Sequence, residues 1–272
     1  MSLPWDYIAK LVCIGDSGTG KSSLTVRLCE GRFTPTHDVT IGVEFGSRIV
    51  SVGPPASLDL GINDPKTFSK TNGDAQSSSD AASPRPSSPS SQKQKKMKLS
   101  LWDTAGQETY KSITRSYFRG ASGALLVFDI TRKATFNSVT QWLHDLRQIA
   151  EEGIIVVLVG NKSDLASTSI DAQGGNRRAV TKEEAEEWCR ANDVMEYVET
   201  SAKSGEGVER AFLEVAERIY QRIEAGKYDL NDRRSGVKGY GAGGGREGGT
   251  SQKTLTLGLN DAMKSGQRGN CC

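Results

Sequence analysis

Residues 15–22, Gly15-Asp16-Ser17-Gly18-Thr19-Gly20-Lys21-Ser22, combine three glycines with a lysine and a terminal hydroxyl. The spacing fits G-x-x-x-x-G-K-[ST], a pattern whose chemistry is phosphate binding. Glycine lets the backbone curl so that successive N–H groups point inward, and those groups share an anion with the N-terminus of the following helix. Gly15, Ser17, Gly18, Thr19 and Gly20 would form the cradle, with Ser23 just behind it. Lys21 would bridge the β- and γ-phosphates as a point charge, and Ser22 would offer its hydroxyl to Mg²⁺. The motif alone specifies a nucleotide without saying which.

A second group, Trp102-Asp103-Thr104-Ala105-Gly106-Gln107, follows a short apolar run. An acid at a strand end facing such a loop can hold Mg²⁺ through a water, which is the part expected of Asp103. Gly106 has no side chain and can bring its N–H to the γ-phosphate. Gln107 would orient the attacking water, a role carried over from the matching glutamine of a known GTPase. Thr40 precedes the second strand and is the candidate second hydroxyl ligand of Mg²⁺. Thr40 and Gly106 would be held only while the γ-phosphate is present, which makes the site a spring.

A third group, Asn161-Lys162-Ser163-Asp164, comes directly after a buried run. A carboxylate at Asp164 can accept from guanine N1 and N2, whereas adenine would present an acceptor to it. An unpaired buried charge costs about 1–3 kcal/mol or more, so the discrimination is strong. Lys162 can lay its stem over the base. Ser201, Ala202 and Lys203 offer backbone N–H groups to the guanine carbonyl. Phe33 can pack edge-on against the base, or belong to the core. Two rival readings stay open here. One is a binding module that does not hydrolyse, against which Gln107 argues; the other is an adenine-using P-loop kinase, against which Asp164 argues.

These groups must be positioned by elements whose pattern is legible. Residues 8–14, 41–52, 98–103, 123–129, 154–160 and 195–199 read as strands, several of them continuous apolar runs suited to burial on both faces. Residues 21–29 read as a helix, and Phe136, Val139, Trp142, Leu143, Leu146 and Ile149 share one helical face. Thr181 with Glu184 three residues on has the capping-box pattern. Val208, Phe212, Val215, Ile219 and Ile223 mark a last helix. Alternating strands and helices predict an α/β fold, a mostly parallel six-stranded sheet with helices on both faces and ligands at the carboxyl ends of the strands.

Taken together, the motifs resemble those of the Rab small GTPases. Ile41-Gly42-Val43-Glu44-Phe45 is similar to their effector-region stretch, and residues 112–121 and 126–131 to further Rab-typical segments. The resemblance covers residues 6–52, 97–165 and 179 to about 230. It is nearest to the subgroup of early-secretory and recycling-endosome traffic, with Tyr7 and residues 47–52 favouring recycling. It implies a GTP/GDP switch that hydrolyses GTP with Mg²⁺ and meets effectors through Ile41, Gly42, Phe45 and Trp102. It also implies an exchange factor, a GTPase-activating protein, a GDP-dissociation inhibitor, and a Rab escort protein with its geranylgeranyl transferase. Cys271 and Cys272 end the chain and would carry two prenyl groups; one chain anchors marginally and two anchor stably. The expected place is the cytosolic face of endosomal or Golgi membranes.

Composition frames the rest. Of 272 residues, 36% are apolar and 30 are glycine, so a compact core with polar appendages is expected. A net charge of +2 gives no reason to expect a nucleic-acid partner. Asp6 interrupts the first ten residues, so no secretory leader is expected, and residues 154–159 are too few to span a bilayer. Cys13, Cys29 and Cys189 read as buried or partly buried thiols. The predicted organisation is a G domain over 1–225, interrupted by a disordered insertion at 53–96 in the hairpin of strands two and three, and a flexible prenylated tail over 226–272. Thr109-Tyr110-Lys111 and a slight extension at 166–178 depart from the Rab pattern. Lys93, Lys95, Lys96 and Lys98 read as a solvated flank of the insertion, and Ser83-Pro84 and Ser88-Pro89 are candidate phosphorylation sites.

Overall fold

The first strand sets the frame. β1 (Tyr7–Ile14) sends Ala9, Leu11 and Cys13 to one apolar cluster and Val12 and Ile14 to another, so both of its faces are covered. The computed structural model describes residues 4–35, 38–54, 94–166, 177–232 and 235–239. In chain order the further elements are α1 (Lys21–Glu30), β2 (Val43–Val52), β3 (Lys95–Thr104), α2 (Lys111–Ser116), β4 (Gly123–Asp129), α3 (Lys133–Asn137), α4 (Val139–Arg147), β5 (Ile155–Asn161), α5 (Lys182–Ala191), β6 (Glu196–Thr200), α6 (Val208–Glu224) and β7 (Val237–Gly239). The sheet runs β2-β3-β1-β4-β5-β6, antiparallel only at β2–β3 along this path. α1 and α6 pack on one face and α3, α4 and α5 on the other. β4 and β5 are buried at every residue, as expected of parallel strands roofed by helices.

The structure differs from expectation in three places. The insertion is shorter than 53–96: Lys95 and Lys96 are strand residues, because the hairpin stays in register from Val43↔Thr104 to Val52↔Lys95. Asp6 makes that possible, accepting from the Lys96 backbone N–H at 2.9 Å and pairing with Lys95 at 3.1 Å. The expected helical face over 136–149 is carried by two helices, broken at Ser138, whose hydroxyl donates to the Ala134 carbonyl at 3.1 Å. Half of the expected capping box is present, the Thr181 hydroxyl accepting from the Glu184 N–H at 3.2 Å, while the Glu184 carboxylate pairs with Lys133 instead.

The third difference lies at the expected tail. β4 pairs with β1 only from Leu11 onward, which leaves the edge of Tyr7–Ala9 open. β7 closes it in antiparallel register, Tyr7↔Gly239 to Ala9↔Val237, giving seven strands among the described residues instead of six. The Lys10 N–H donates to the Gly236 carbonyl at 2.9 Å, and Val237 is 0% exposed. A domain boundary at 225 is therefore too early: unpaired edge groups are costly, and the chain uses its next segment to cover them. Residues 55–93 and 240–272 lie outside the described residues.

The middle of α6 carries an unusual charge. Glu214 is 3% exposed and faces Glu196 of β6, with Arg210 and Arg218 on its own helix. Burial pushes its carboxyl up to about 7, and the neighbouring Glu196 adds to this against the two arginines. A folded-state value above the unfolded 4.5 means the folded chain holds the extra proton. That stabilisation is complete below about pH 4.5 and is lost as pH rises through 7. Glu214→Gln should remove this slope in urea titrations and stabilise the protein at pH 8 by about 1–2 kcal/mol. Val237→Asp, which puts a charge on the buried β7 seat, should cost about 2–3 kcal/mol in the same titrations, while Lys238→Asp on the exposed side stays within about 0.5 kcal/mol.

Candidate active site

The loop between β1 and α1 is shaped by what surrounds it. Gly15 sits at φ +136°, and a Cβ there would fall 2.1 Å from the Val127 carbonyl oxygen. Gly20, at φ +93°, would collide with the Asn161 amide at 2.3 Å. Only glycine satisfies both the left-handed backbone and the close approach. Inside the curl lies Lys21, buried, with Nζ donating to the carbonyls of Gly15 and Asp16 at 2.8 Å each. Burial pulls its pKa below the usual lysine value, and the nearby Asp103 carboxylate opposes that pull. A cation held by carbonyl dipoles at the mouth of an N–H-lined loop is a seat for phosphate oxygens.

Three oxygen donors are the ones expected to hold a metal. The Ser22 and Thr40 hydroxyls are 2.9 Å apart, and Asp103 is buried at the end of β3. One carboxylate and two hydroxyls are hard ligands, too few to cage an ion fully, which suits Mg²⁺ with its waters and phosphate oxygens. No group of three or more His, Cys, Asp or Glu competes for a metal among the described residues. Gly106 backs onto the loop so closely that a Cβ would lie 2.5 Å from Lys21 Nζ and from the Ser17 nitrogen.

A cavity of about 610 Å³ joins these parts to Asn161, Lys162 and Asp164. Of the residues predicted from sequence, Ser17, Gly18, Gly20, Lys21, Ser22, Ser23, Phe33, Thr40, Gly106, Asn161, Lys162, Asp164, Ala202 and Lys203 line it. Gly15, Thr19, Asp103, Ser201 and Gln107 do not. Gly15, Thr19 and Ser201 support the lining through hydrogen bonds with Lys21, Asn161 and Asp164, and Asp103 is buried at the end of β3. Gln107 instead heads a 3₁₀ turn, Glu108–Tyr110, with its carbonyl accepting from the Tyr110 N–H at 3.1 Å.

The base end is tied to the phosphate end by side chains. Asn161 Nδ2 donates to the Thr19 carbonyl at 2.8 Å, while Oδ1 accepts from the Thr200 hydroxyl and the Ala202 N–H at 3.2 Å. Lys162 stands at φ +73° and reaches the Gly18 carbonyl at 2.8 Å and Asp129 Oδ2 at 2.7 Å. Burial alone would raise the Asp129 pKa, but hydrogen bonds from Lys162 and Thr131 outweigh it and hold it below the ordinary 3.8. Asp164 Oδ1 accepts from the Ser201 hydroxyl at 2.7 Å, which aims the carboxylate. Arg27 of α1 fastens the same loop from below, donating to the carbonyls of Ala202 and Lys203 at 2.8 and 2.5 Å.

Asp129 and Arg27 were not legible as site residues. The one available signal for Asp129 was its place at a strand end, which the register Asp129↔Asn161 turns into contact. Asn161 carries the largest share of these joints. Asn161→Ala should lower stability by about 2–3 kcal/mol and speed release of a fluorescent guanine nucleotide about a hundredfold, read by stopped-flow displacement.

Comparison with known families agrees with this geometry. A Ras family model matches residues 10–65 and 82–221. The matched part runs from β1 through most of α6 and contains the cavity, the loop that cradles Lys21, and both joints of Asn161. What it skips, 66–81, falls inside the β2–β3 connection. The loop that seats Lys21 and the Asn161–Asp164 segment share one cavity, and the family match covers both: the chain belongs to the Ras family and is a small GTPase that binds and hydrolyses GTP.

Proposed function

We propose that this GTPase is a Rab-like switch of vesicle traffic, in endosomal recycling or the early secretory route. The observation that carries the reading is an exposed aromatic cluster between the two γ-phosphate sensors. Phe45, 67% exposed, meets Trp102 edge-on at 4.7 Å between ring centroids, and Trp102 meets Tyr117 at 5.7 Å. Lys10 Nζ lies 3.8 Å from the centre of the Trp102 ring. Ile41 beside them is 75% exposed. Large apolar groups exposed together mark a partner surface.

That surface is wired to the nucleotide. The Ala105 N–H donates to the Gly42 carbonyl at 2.9 Å, so the strand carrying Phe45 and the segment carrying Gly106 move as one. Thr40 is joined to Ser22 on the other side. When bound, Mg²⁺ would neutralise charge on the phosphate oxygens, held by Ser22, Thr40 and Asp103. Loss of the γ-phosphate releases Thr40 and Gly106, and effectors that read Ile41, Gly42, Phe45 and Trp102 leave. Gln107 reaches the cavity when the turn behind it shifts, which is a task for a GTPase-activating protein; an exchange factor resets the cycle.

Membrane attachment completes the reading. Cys271 and Cys272, outside the described residues, take two geranylgeranyl groups from the escort protein and transferase, and a GDP-dissociation inhibitor extracts the GDP form. The test is imaging and fractionation of the tagged full chain in cells. Wild type should sit on endosomal or Golgi membranes. Cys271→Ser with Cys272→Ser should turn cytosolic, and Phe45→Ala should stay on membranes but lose GTP-dependent partners at least tenfold. A membrane-bound double serine variant, or Phe45→Ala with its partners intact, rejects the reading.

A further inference from the structure

A carboxylate inside an anion-binding loop is a physical difficulty. Asp16 is the second residue of the phosphate loop. Its charge has the sign of the phosphates, and a short acidic side chain also competes for nearby backbone N–H groups. The structure shows where it goes: Oδ1 accepts a hydrogen bond from the Trp142 indole Nε1–H at 2.7 Å, across 126 residues of chain. Trp142 is buried in the cluster formed by α3, α4 and α5 on the sheet, so packing fixes the direction of its N–H. The Asp16 peptide is where the loop's contacts meet. Its carbonyl accepts from Lys21 Nζ at 2.8 Å and from the Thr19 hydroxyl at 3.0 Å, and Gly106 packs against its carbonyl carbon.

We infer that Trp142 is a positioning residue for the phosphate loop. Its N–H holds the Asp16 carboxylate against α4, which fixes the Asp16 peptide and leaves the inward N–H groups to phosphate. The same helix has a second grip. About one turn on, Asp145 lies 3.9 Å from Arg115 of α2, and Gln148 accepts from Arg115 at 2.7 Å. α2 follows the segment of Asp103 to Gln107 after one 3₁₀ turn, so one helix registers the loop against the opposite wall of the phosphate seat. Trp142 acts through Asp16 and lines no part of the cavity.

The test is release of a fluorescent GDP analogue from the full chain at fixed Mg²⁺. Trp142→Phe keeps the ring and removes the donor; Asp16→Ala removes the acceptor. Each should speed release about fivefold to tenfold. The double variant should be no faster than the quicker single one, because both remove one bond. Trp188→Phe is the control. Trp188 packs on the same cluster and donates to the Thr140 hydroxyl at 3.0 Å, away from the loop. It should lower the melting temperature and leave release unchanged. The inference is overturned if the two tryptophan variants change release alike, or if the Trp142 and Asp16 effects multiply. Should Trp142→Phe fail to fold, Asp16→Ala decides alone, and unchanged release rejects the inference.

Discussion

The side-chain amide of Asn161 is the joint on which the site depends. A guanine nucleotide is long, and its two ends are gripped by loops that follow different strands. Those loops have little of their own to hold them, because loop backbone is solvated and mobile unless tied down. Asn161 ties two of them to its own with one planar group, donating to the phosphate loop and accepting from Thr200 and Ala202 at the end of β6. Its position follows from the sheet. β5 lies beside β4 and β6 in unbroken parallel register, which brings Asp129, Asn161 and Thr200 into one row. Gly20 must then be glycine to let that amide approach.

Charge is arranged around the same joint so that no ion is stranded. Lys21 is buried, yet the loop's own carbonyls and the field of Asp103 stabilise its charge until phosphate arrives. Lys162 is strung between the Gly18 carbonyl and Asp129, which turns a flexible side chain into a bar across the cavity floor. An ion pair of this kind is worth little for stability in itself, since desolvation offsets the attraction. Its value lies in fixing where the lysine stem runs. Binding is faster and tighter when such groups are ordered beforehand.

How much of this is legible in sequence depends on how local the cause is. The phosphate loop is legible because its requirement is local: glycines at set spacings before a lysine at a helix start. The buried strands are legible because continuous apolar runs admit few other readings. Asp129 and Arg27 are not, because each becomes a site residue only through contact with a segment far away in the chain: Asp129 through the register of β4 with β5, Arg27 through the loop after β6. β7 is hidden for another reason. Three residues in a Gly-rich stretch have no periodicity, and the need they meet, the open edge of Tyr7–Ala9, exists only once β4 is seen to pair late. The break at Ser138 escapes notice because the apolar face continues across it. Gln107 is recognisable by type but not by place, since its direction is set by the turn behind it.

The same logic explains why a long insertion does not disturb the cavity. The β2–β3 hairpin has its two ends at opposite sides of the sheet. Val43 and Thr104 lie at the nucleotide end, whereas Val52 and Lys95 lie at the other. That distal end is clamped independently. The Gly53 N–H donates to Glu217 on α6 at 2.8 Å, and Gln94 donates across the hairpin to the Val52 carbonyl at 2.6 Å. Both ends of the connection are therefore held by contacts of their own. The ten paired positions of the hairpin and the clamp on α6 separate it from Thr104, so the switch segments are held independently of it.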